Sequence, residues 1–296
     1  IFEGNSPGGA ERLGLGPDIC LERNPAIIYG RMTGWGQTGP LAHSAGHDYN
    51  YISLTGAAAA IGTKDSPVQP LNLVGDYAGG SMFLVVGILS ALLEVKNSGQ
   101  GQIVDAAITD GSAHLMSMFY TFNQMGFWNH SRQSNMLDGG APYYRAYETA
   151  DEKHISVGPI EPKFFAQMIE ITGMPEEFVE HQNNPEKWPE MHTIFSETFK
   201  TKTRDQWAHI FEGSDSCITG ILDFTEALEH PHNRARGTYI DINGQSQPAP
   251  APRFSRTQCA TPTAPRTEGS DTKSVLNEWG FDQTSIDALE KNAVFT

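Results

Sequence analysis

The first half of the chain follows a strand–helix–strand–helix pattern of apolar residues. Apolar residues at 26–29 predict a buried strand, and residues 81–93 are apolar on all sides, which is typical of a buried helix. Residues 102–106 predict the next strand, and residues 109–125 predict the helix after it. A short helix is also predicted over residues 17–23. This order of elements predicts an α/β fold with a parallel sheet.

The pattern changes after a glycine-containing turn at residues 138–140. Residues 143–148 and 154–158 resemble two strands joined by a polar turn, and helices follow from Pro162, Pro185 and Thr203. This part of the chain is predicted to be a smaller α+β unit. Residues 247–265 are rich in proline and weakly periodic, which is typical of a linker, and a last helical stretch follows at residues 272–279.

The predicted elements divide the chain into five parts. The predicted parts are a partial large domain at residues 1–110, a linker helix and loop at 111–142, a small domain at 143–232, a second linker at 233–252 and a C-terminal return to the large domain at 253–296. A chain of 296 residues is long enough for two domains with substantial cores.

Charge and cysteine content narrow the class of protein. The 35 acidic residues exceed the 20 basic ones, and the net charge of −15 disfavours binding to nucleic acid. The three cysteines are far apart, which suits a reducing compartment and offers no metal-ligand spacing. The apolar run at 81–93 is shorter than the ~20 residues of a membrane-spanning helix, so no membrane anchor is predicted. The chain begins with Ile1 and no targeting segment is visible, so we expect a truncated N-terminus.

Several catalytic motifs are missing from the sequence, and one weak match fails on its context. No zinc spacing, Walker loop or G-x-S-x-G elbow is present. Residues 34–39 match G-x-G-x-x-G, but Pro40 follows at once and no acidic residue occurs about 20 residues later, as a dinucleotide site requires. We therefore interpret residues 34–39 as a tight turn.

Isolated acids and histidines in glycine-rich surroundings remain as candidates for chemistry. His47 precedes a predicted helix start at Asp48, and Asp76 lies before Gly79 and Gly80 at the predicted start of the apolar helix. Each residue could be a helix cap, or the two could transfer a proton at a carbon atom beside amides that hold an enolate oxygen. Glu161, at a strand-to-helix turn, could orient an imidazole or cap the following helix. Spacing alone leaves these alternatives open.

Five segments carry a family resemblance. Residues 31–40 (RMTGWGQTGP), 45–48 (AGHD), 71–80 (LNLVGDYAGG), 135–142 (NMLDGGAP) and 157–162 (VGPIEP) resemble successive motifs of the α-methylacyl-CoA racemases, in the family III CoA-transferase superfamily. The resemblance runs from about residue 3 to residue 256. It implies a Rossmann-like large domain, here without its opening elements, plus a smaller α+β domain in an interlocked homodimer. It also implies a 2-methylacyl-CoA substrate and no metal or redox cofactor.

The resemblance implies roles for particular residues. His47 and Asp76 would be the two bases, one removing the α-proton and the other returning a proton to the opposite face of the enolate. Glu161 would pair with His47, and Tyr144 would hydrogen-bond near Asp76. Asp48 would shape the pocket, and the backbone amide of Asp76 would face the enolate oxygen.

The same resemblance implies where the CoA thioester is bound. Arg12 matches an arginine that binds CoA, Met32 belongs to an acyl-binding surface, and Gly79 and Gly80 flank the site. The family usually carries an aromatic residue and an arginine where this chain has Asn5 and Ser6, so one phosphate contact is missing.

Two other functions stay open at this stage. One is a CoA-transferase in which Asp76 is a nucleophile, and the other is an inactive truncated homologue. The expected compartment is the cytoplasm in a bacterium, and otherwise the peroxisome or the mitochondrion.

Overall fold

The computed structural model describes residues 1–295, which form two compact units. The first unit is Ile1–Ile221 and the second begins at Leu222. The division after Ile221 falls inside the small domain that the sequence predicts at 143–232.

A parallel sheet opens the first unit. Its strands are β1 (Phe2–Glu3), β2 (Ile28–Thr33) and β3 (Gln102–Ala107), in the order β1-β2-β3. Both neighbours pair with β2 in parallel, and Ile28 lies opposite Gln102. The first four residues of β2 are all buried, as expected for a strand that is covered on both faces. The predicted parallel α/β arrangement is confirmed.

Helices connect the strands of this sheet and follow its last strand in the chain. They are α1 (Gly9–Arg12), α2 (Pro17–Arg23), α3 (Asp48–Ser53), α4 (Ala57–Ala60), a π-helical segment (Leu73–Ser81), α5 (Met82–Ser98), α6 (Ile108–Leu115) and α7 (Ser117–Gln124). The predicted helix over 17–23 is confirmed, and Pro17 occupies the first helical position that proline favours. The helix predicted over 109–125 forms as two pieces that are separated at Met116.

The prediction that the apolar helix is buried is wrong. Within α5, only Leu84 and Ala91 are buried. One face of the helix packs on the sheet, where a Cβ on Gly30 would lie 2.9 Å from Leu84 Cδ1. The other face is exposed, and its large apolar side chains are Met82, Val85, Val86, Leu89, Leu92 and Leu93. An apolar pattern on all sides therefore does not by itself report which faces of a helix have partners.

The same helix is longer than the apolar run suggests. The π-helical segment continues into α5 without a break, and together they span 26 residues, Leu73–Ser98. By length and composition alone, this is the one helix in the described residues that could cross a membrane. The helix is thus long enough to span a membrane, contrary to the expectation from residues 81–93, and the absence of a membrane anchor stays a prediction.

A second, antiparallel sheet lies in the last third of the first unit. It contains β4 (Arg145–Glu148), β5 (His154–Val157) and β6 (Ile218–Gly220), in the order β4-β5-β6. Its helices are α8 (Pro162–Thr172), α9 (Phe178–His181), α10 (Trp188–Phe199) and α11 (Arg204–Ile210). The aromatic side chains in its core are fully buried and include Tyr143, Phe165, Phe178, Phe195 and Phe199. The predicted α+β part is confirmed.

The second unit contains short helices and a hairpin. The elements are α12 (Phe224–Glu229), α13 (Pro231–Arg236), the antiparallel strands β7 (Tyr239–Ile242) and β8 (Gln245–Pro248), α14 (Thr272–Glu278) and α15 (Gln283–Lys291). The hairpin lies within the predicted linker 233–252. Asn243 and Gly244 form its turn with positive φ at both positions, as a type I′ turn requires. The predicted return of residues 253–296 to the large domain stays a prediction.

Candidate active site

Asp76 lies inside the π-helical segment, so its interpretation as a cap at the start of the helix is wrong. The segment begins at Leu73 and passes directly into α5 at Met82. In a π-helix each N–H pairs with the carbonyl five residues earlier, and such wide turns often occur at functional sites. The N–H of Met82 follows this pattern and donates to the carbonyl of Tyr77.

Asp48 joins the start of α3 to Asp76. The Asp48 side chain accepts a hydrogen bond from the backbone N–H of Asp76, with 2.6 Å between Oδ1 and N. Asp48 is only 7% exposed, and a Cβ on Gly75 would lie 2.3 Å from its Oδ1. Glycine is therefore required at position 75. Because the Asp76 amide is already bonded to Asp48, the prediction that it faces an enolate oxygen is wrong.

His47 directly precedes this carboxylate. It is the N-cap residue of α3, with extended backbone angles, and its own N–H donates to Asn50 Oδ1 at 3.0 Å. The predicted helix start at Asp48 is confirmed. His47 is exposed, whereas Asp76 is partly buried. The hydrogen bond from the Asp76 N–H to Asp48 thus joins the segment of the partly buried Asp76 to the helix start that carries the exposed His47.

Tyr51 and Trp35 pack beside this pair. Their rings meet edge to face with centroids 4.8 Å apart, and Tyr51 Oη donates to the carbonyl of Gly46. Burial raises the pKa of Tyr51, and the negative charge of Asp76 raises it further. Sequence reasoning missed Tyr51. A Cβ on Gly34 would lie 2.0 Å from the Tyr51 ring, a contact that only the structure reveals.

Met32 and the two glycines predicted at the site also lie along the π-helical segment. A Cβ on Gly80 would lie 2.6 Å from Met32 Cε, and a Cβ on Gly79 would lie 2.3 Å from Ser112 Oγ. The Met32 sulfur is 4.0 Å from Ser81 Oγ. The structure therefore places Met32 against the helix that carries Asp76.

Glu161 and Tyr144 lie elsewhere in the structure. Glu161 is exposed at the N-cap position of α8. Burial raises the pKa of the Cys217 thiol, and the charge of Glu161 raises it further. Tyr144 is 38% exposed, and its ring lies 4.0 Å from the Cβ position of Gly158. Within residues 1–295, Glu161 forms no hydrogen bond with His47 and Tyr144 forms none with Asp76, so their roles stay predictions.

Two arginines near the first sheet have different environments. Arg12 is exposed at the end of α1, and a Cβ on Gly8 would lie 3.2 Å from its Nη1. Arg31 is buried, and its guanidinium is held by Glu3 at 2.9 Å and by Glu11 at 2.8 Å. The charge of Arg31 is therefore already neutralised, whereas Arg12 faces solvent and is accessible to an anionic ligand.

The fold thus combines a parallel sheet with a histidine and a carboxylate on adjoining helical segments, two groups that can exchange protons with a ligand. The chain belongs to CoA-transferase family III, because the model of that family matches residues 1–272.

Named relatives agree with this assignment. The chain is 42% identical to the α-methylacyl-CoA racemase of Mus musculus and 39% identical to that of Homo sapiens. In both comparisons 97% of this chain aligns with 76% of the relative. A CAIB/BAIF family protein from Brucella suis has the same fold, with a TM-score of 0.77 at 21% identity over 94% of this chain and 74% of that one. The predicted fold class is confirmed, and the interlocked homodimer stays a prediction.

Proposed function

We propose that the chain is an α-methylacyl-CoA racemase, an isomerase that inverts the α-carbon of 2-methylacyl-CoA thioesters. The observation that carries the proposal is the hydrogen bond from the backbone N–H of Asp76 to the Asp48 side chain, which joins the helix start that carries His47 to the segment that carries Asp76. The two racemase relatives support the substrate class.

The chemistry requires two groups that exchange a proton with carbon. One base takes the α-proton of the thioester, whose electrons pass into the carbonyl to give an enolate. The conjugate acid of the other base then returns a proton from the opposite face. In one direction the neutral imidazole of His47 is the base and protonated Asp76 is the acid. In the other direction the carboxylate of Asp76 is the base and the imidazolium of His47 is the acid.

Surrounding residues position these two groups and the substrate. Tyr51 fixes the backbone just before His47 through its bond to the Gly46 carbonyl. Met32 lines the helix of Asp76, and its flexible thioether suits branched acyl chains of different shape. Arg12 provides an exposed cation for a CoA phosphate in a chain whose net charge is −15.

Solvent exchange tests the proposal directly. In deuterated water, a single enantiomer of a 2-methylacyl-CoA should acquire α-deuterium and lose its optical purity without any acceptor acid. His47→Ala and Asp76→Asn should each lower racemisation by about a thousand-fold or more. His43→Ala, at an exposed histidine in the same loop, is the matched control and should keep wild-type activity. Full racemisation by either site variant would contradict the two-base mechanism.

A CoA-transferase is the second candidate, because the family is named for that activity. In that reaction the Asp76 carboxylate would attack the thioester carbonyl, releasing the CoA thiolate and forming a mixed anhydride. Transfer of CoA to an added carboxylic acid, with no exchange of the α-proton, would favour this candidate over the racemase. The homodimer, the compartment and the absence of a metal or redox cofactor also stay predictions.

A further inference from the structure

The backbone of Asp76 is held at both of its polar groups by side chains. Its N–H donates to Asp48 Oδ1 at 2.6 Å, and its carbonyl accepts a hydrogen bond from Ser81 Oγ at 2.9 Å. Asp48 was expected to shape the pocket, but the sequence assigned no role to Ser81. The two bonds act on the peptide groups that flank the Asp76 side chain, so together they limit the direction in which its carboxylate points.

The π-helical spacing makes the second bond possible. Ser81 lies five residues after Asp76, which is one π-helical hydrogen-bond step, so its hydroxyl lies on the same side of the helix as the Asp76 carbonyl. At the start of the π-helical segment, the first backbone N–H groups have no carbonyl acceptor within the helix. The Asp48 carboxylate is the acceptor for the N–H of Asp76. A carbonyl bonded by a side chain in addition to the helix backbone is restrained more firmly than its neighbours.

Close packing keeps the segment in this register. A Cβ on Gly79 would lie 2.3 Å from Ser112 Oγ and 2.8 Å from the Ser112 backbone nitrogen. A Cβ on Gly80 would lie 2.6 Å from Met32 Cε. Only glycine therefore fits at these two positions, so the segment packs closely on its neighbours, and the Ser81 hydroxyl lies between the Met32 sulfur and the Asp76 carbonyl.

We propose that Ser81 is a positioning residue that orients Asp76 for proton transfer at the α-carbon. This inference rests on the proposed racemase function and deepens it. Proton transfer needs the carboxylate within hydrogen-bond reach of the reacting carbon, and small displacements slow such steps strongly. Ser81 acts through the backbone of Asp76, so its loss should affect the chemical step more than binding.

The test compares Ser81→Ala with Ser98→Ala. Ser98 is the control because it lies in the same continuous helix and its hydroxyl also donates to a backbone carbonyl, that of Glu94 at 3.1 Å. We expect Ser81→Ala to lower kcat for racemisation about five-fold, with KM within about two-fold of wild type. Ser98→Ala should leave both constants unchanged, and Ser81→Thr, which keeps the hydroxyl, should restore most of kcat.

Two results would overturn the proposal. The first is an unchanged kcat in Ser81→Ala, and a fall in thermal stability in the same variant would then make Ser81 merely structural. The second is a Ser81→Thr variant as slow as Ser81→Ala. Failure of the racemase function is distinguishable, because in that case the wild-type protein would show no α-proton exchange.

Discussion

Replacing Arg31 by methionine should destabilise the first unit strongly. Arg31 lies in the central strand β2, and its side chain is 8% exposed. Its Nε donates to Glu3 at 2.9 Å, while both of its terminal nitrogens bond to the carboxylate of Glu11 at 2.8 and 3.2 Å. Burial opposes the charge of Arg31, but the bonds to Glu11 and Glu3 outweigh it and raise its pKa.

The magnitude follows from the exposure of the two acidic partners. Removing one member of a buried ion pair costs about 3–5 kcal/mol, because the other charge stays buried without a partner. The Glu3 side chain is only 10% exposed, so its charge would stay buried without a partner. The Glu11 side chain is 43% exposed, so water can solvate its charge once Arg31 is removed. We therefore expect the lower end of the range, about 3 kcal/mol, for Arg31→Met.

Urea unfolding followed by circular dichroism measures this effect. Lys200→Met is the matched control, because the Lys200–Glu148 pair is 55% and 44% exposed and should contribute at most about 1 kcal/mol. Adding Glu3→Gln to Arg31→Met should recover part of the loss, since the uncompensated buried charge disappears. A loss in Arg31→Met no larger than that in Lys200→Met would refute the reasoning.

Two further predictions concern packing and pH. In urea titrations, Gly79→Ala should lower the free energy of unfolding by about 2 kcal/mol, because the added Cβ would collide with Ser112. The control is Gly4→Ala, whose Cβ would lie 3.7 Å from the nearest atom and which should change the free energy of unfolding by less than about 0.5 kcal/mol. Burial lowers the pKa of His192. The unfolded chain therefore binds a proton first as the pH falls, so stability should fall between about pH 7 and pH 5 more steeply than in His192→Gln. Parallel pH profiles of the unfolding midpoint would contradict this.

Local patterns predicted much of the first unit. The strand before residue 34, the helix from Pro17 to Arg23 and the helix start at Asp48 all agree with the structure, because proline, glycine and apolar runs act on their immediate neighbours. The Asn243–Gly244 pair is an equally local signal for a hairpin turn, and it lies in a segment that was predicted to be a linker.

The candidate site was predictable only in part. The residues His47, Asp76 and Met32 were found through motifs, and the structure places them at adjoining helices and strands. Tyr51 and Ser81 were missed, because a tyrosine or serine inside a helix has no distinctive pattern until its neighbours in space are known.

The sequence by itself determined the family and the order of the main elements, since these depend on residue types and short spacings, and its motifs predict His47 and Asp76 as the two bases. Only the tertiary structure decided how those groups are held. The π-helical register depends on contacts of Gly75 and Gly79 with residues from α3 and α6. The side chain of Arg31 is neutralised by carboxylates 20 and 28 residues away in sequence. Such contacts form between distant segments, and their strength depends on the burial that folding creates.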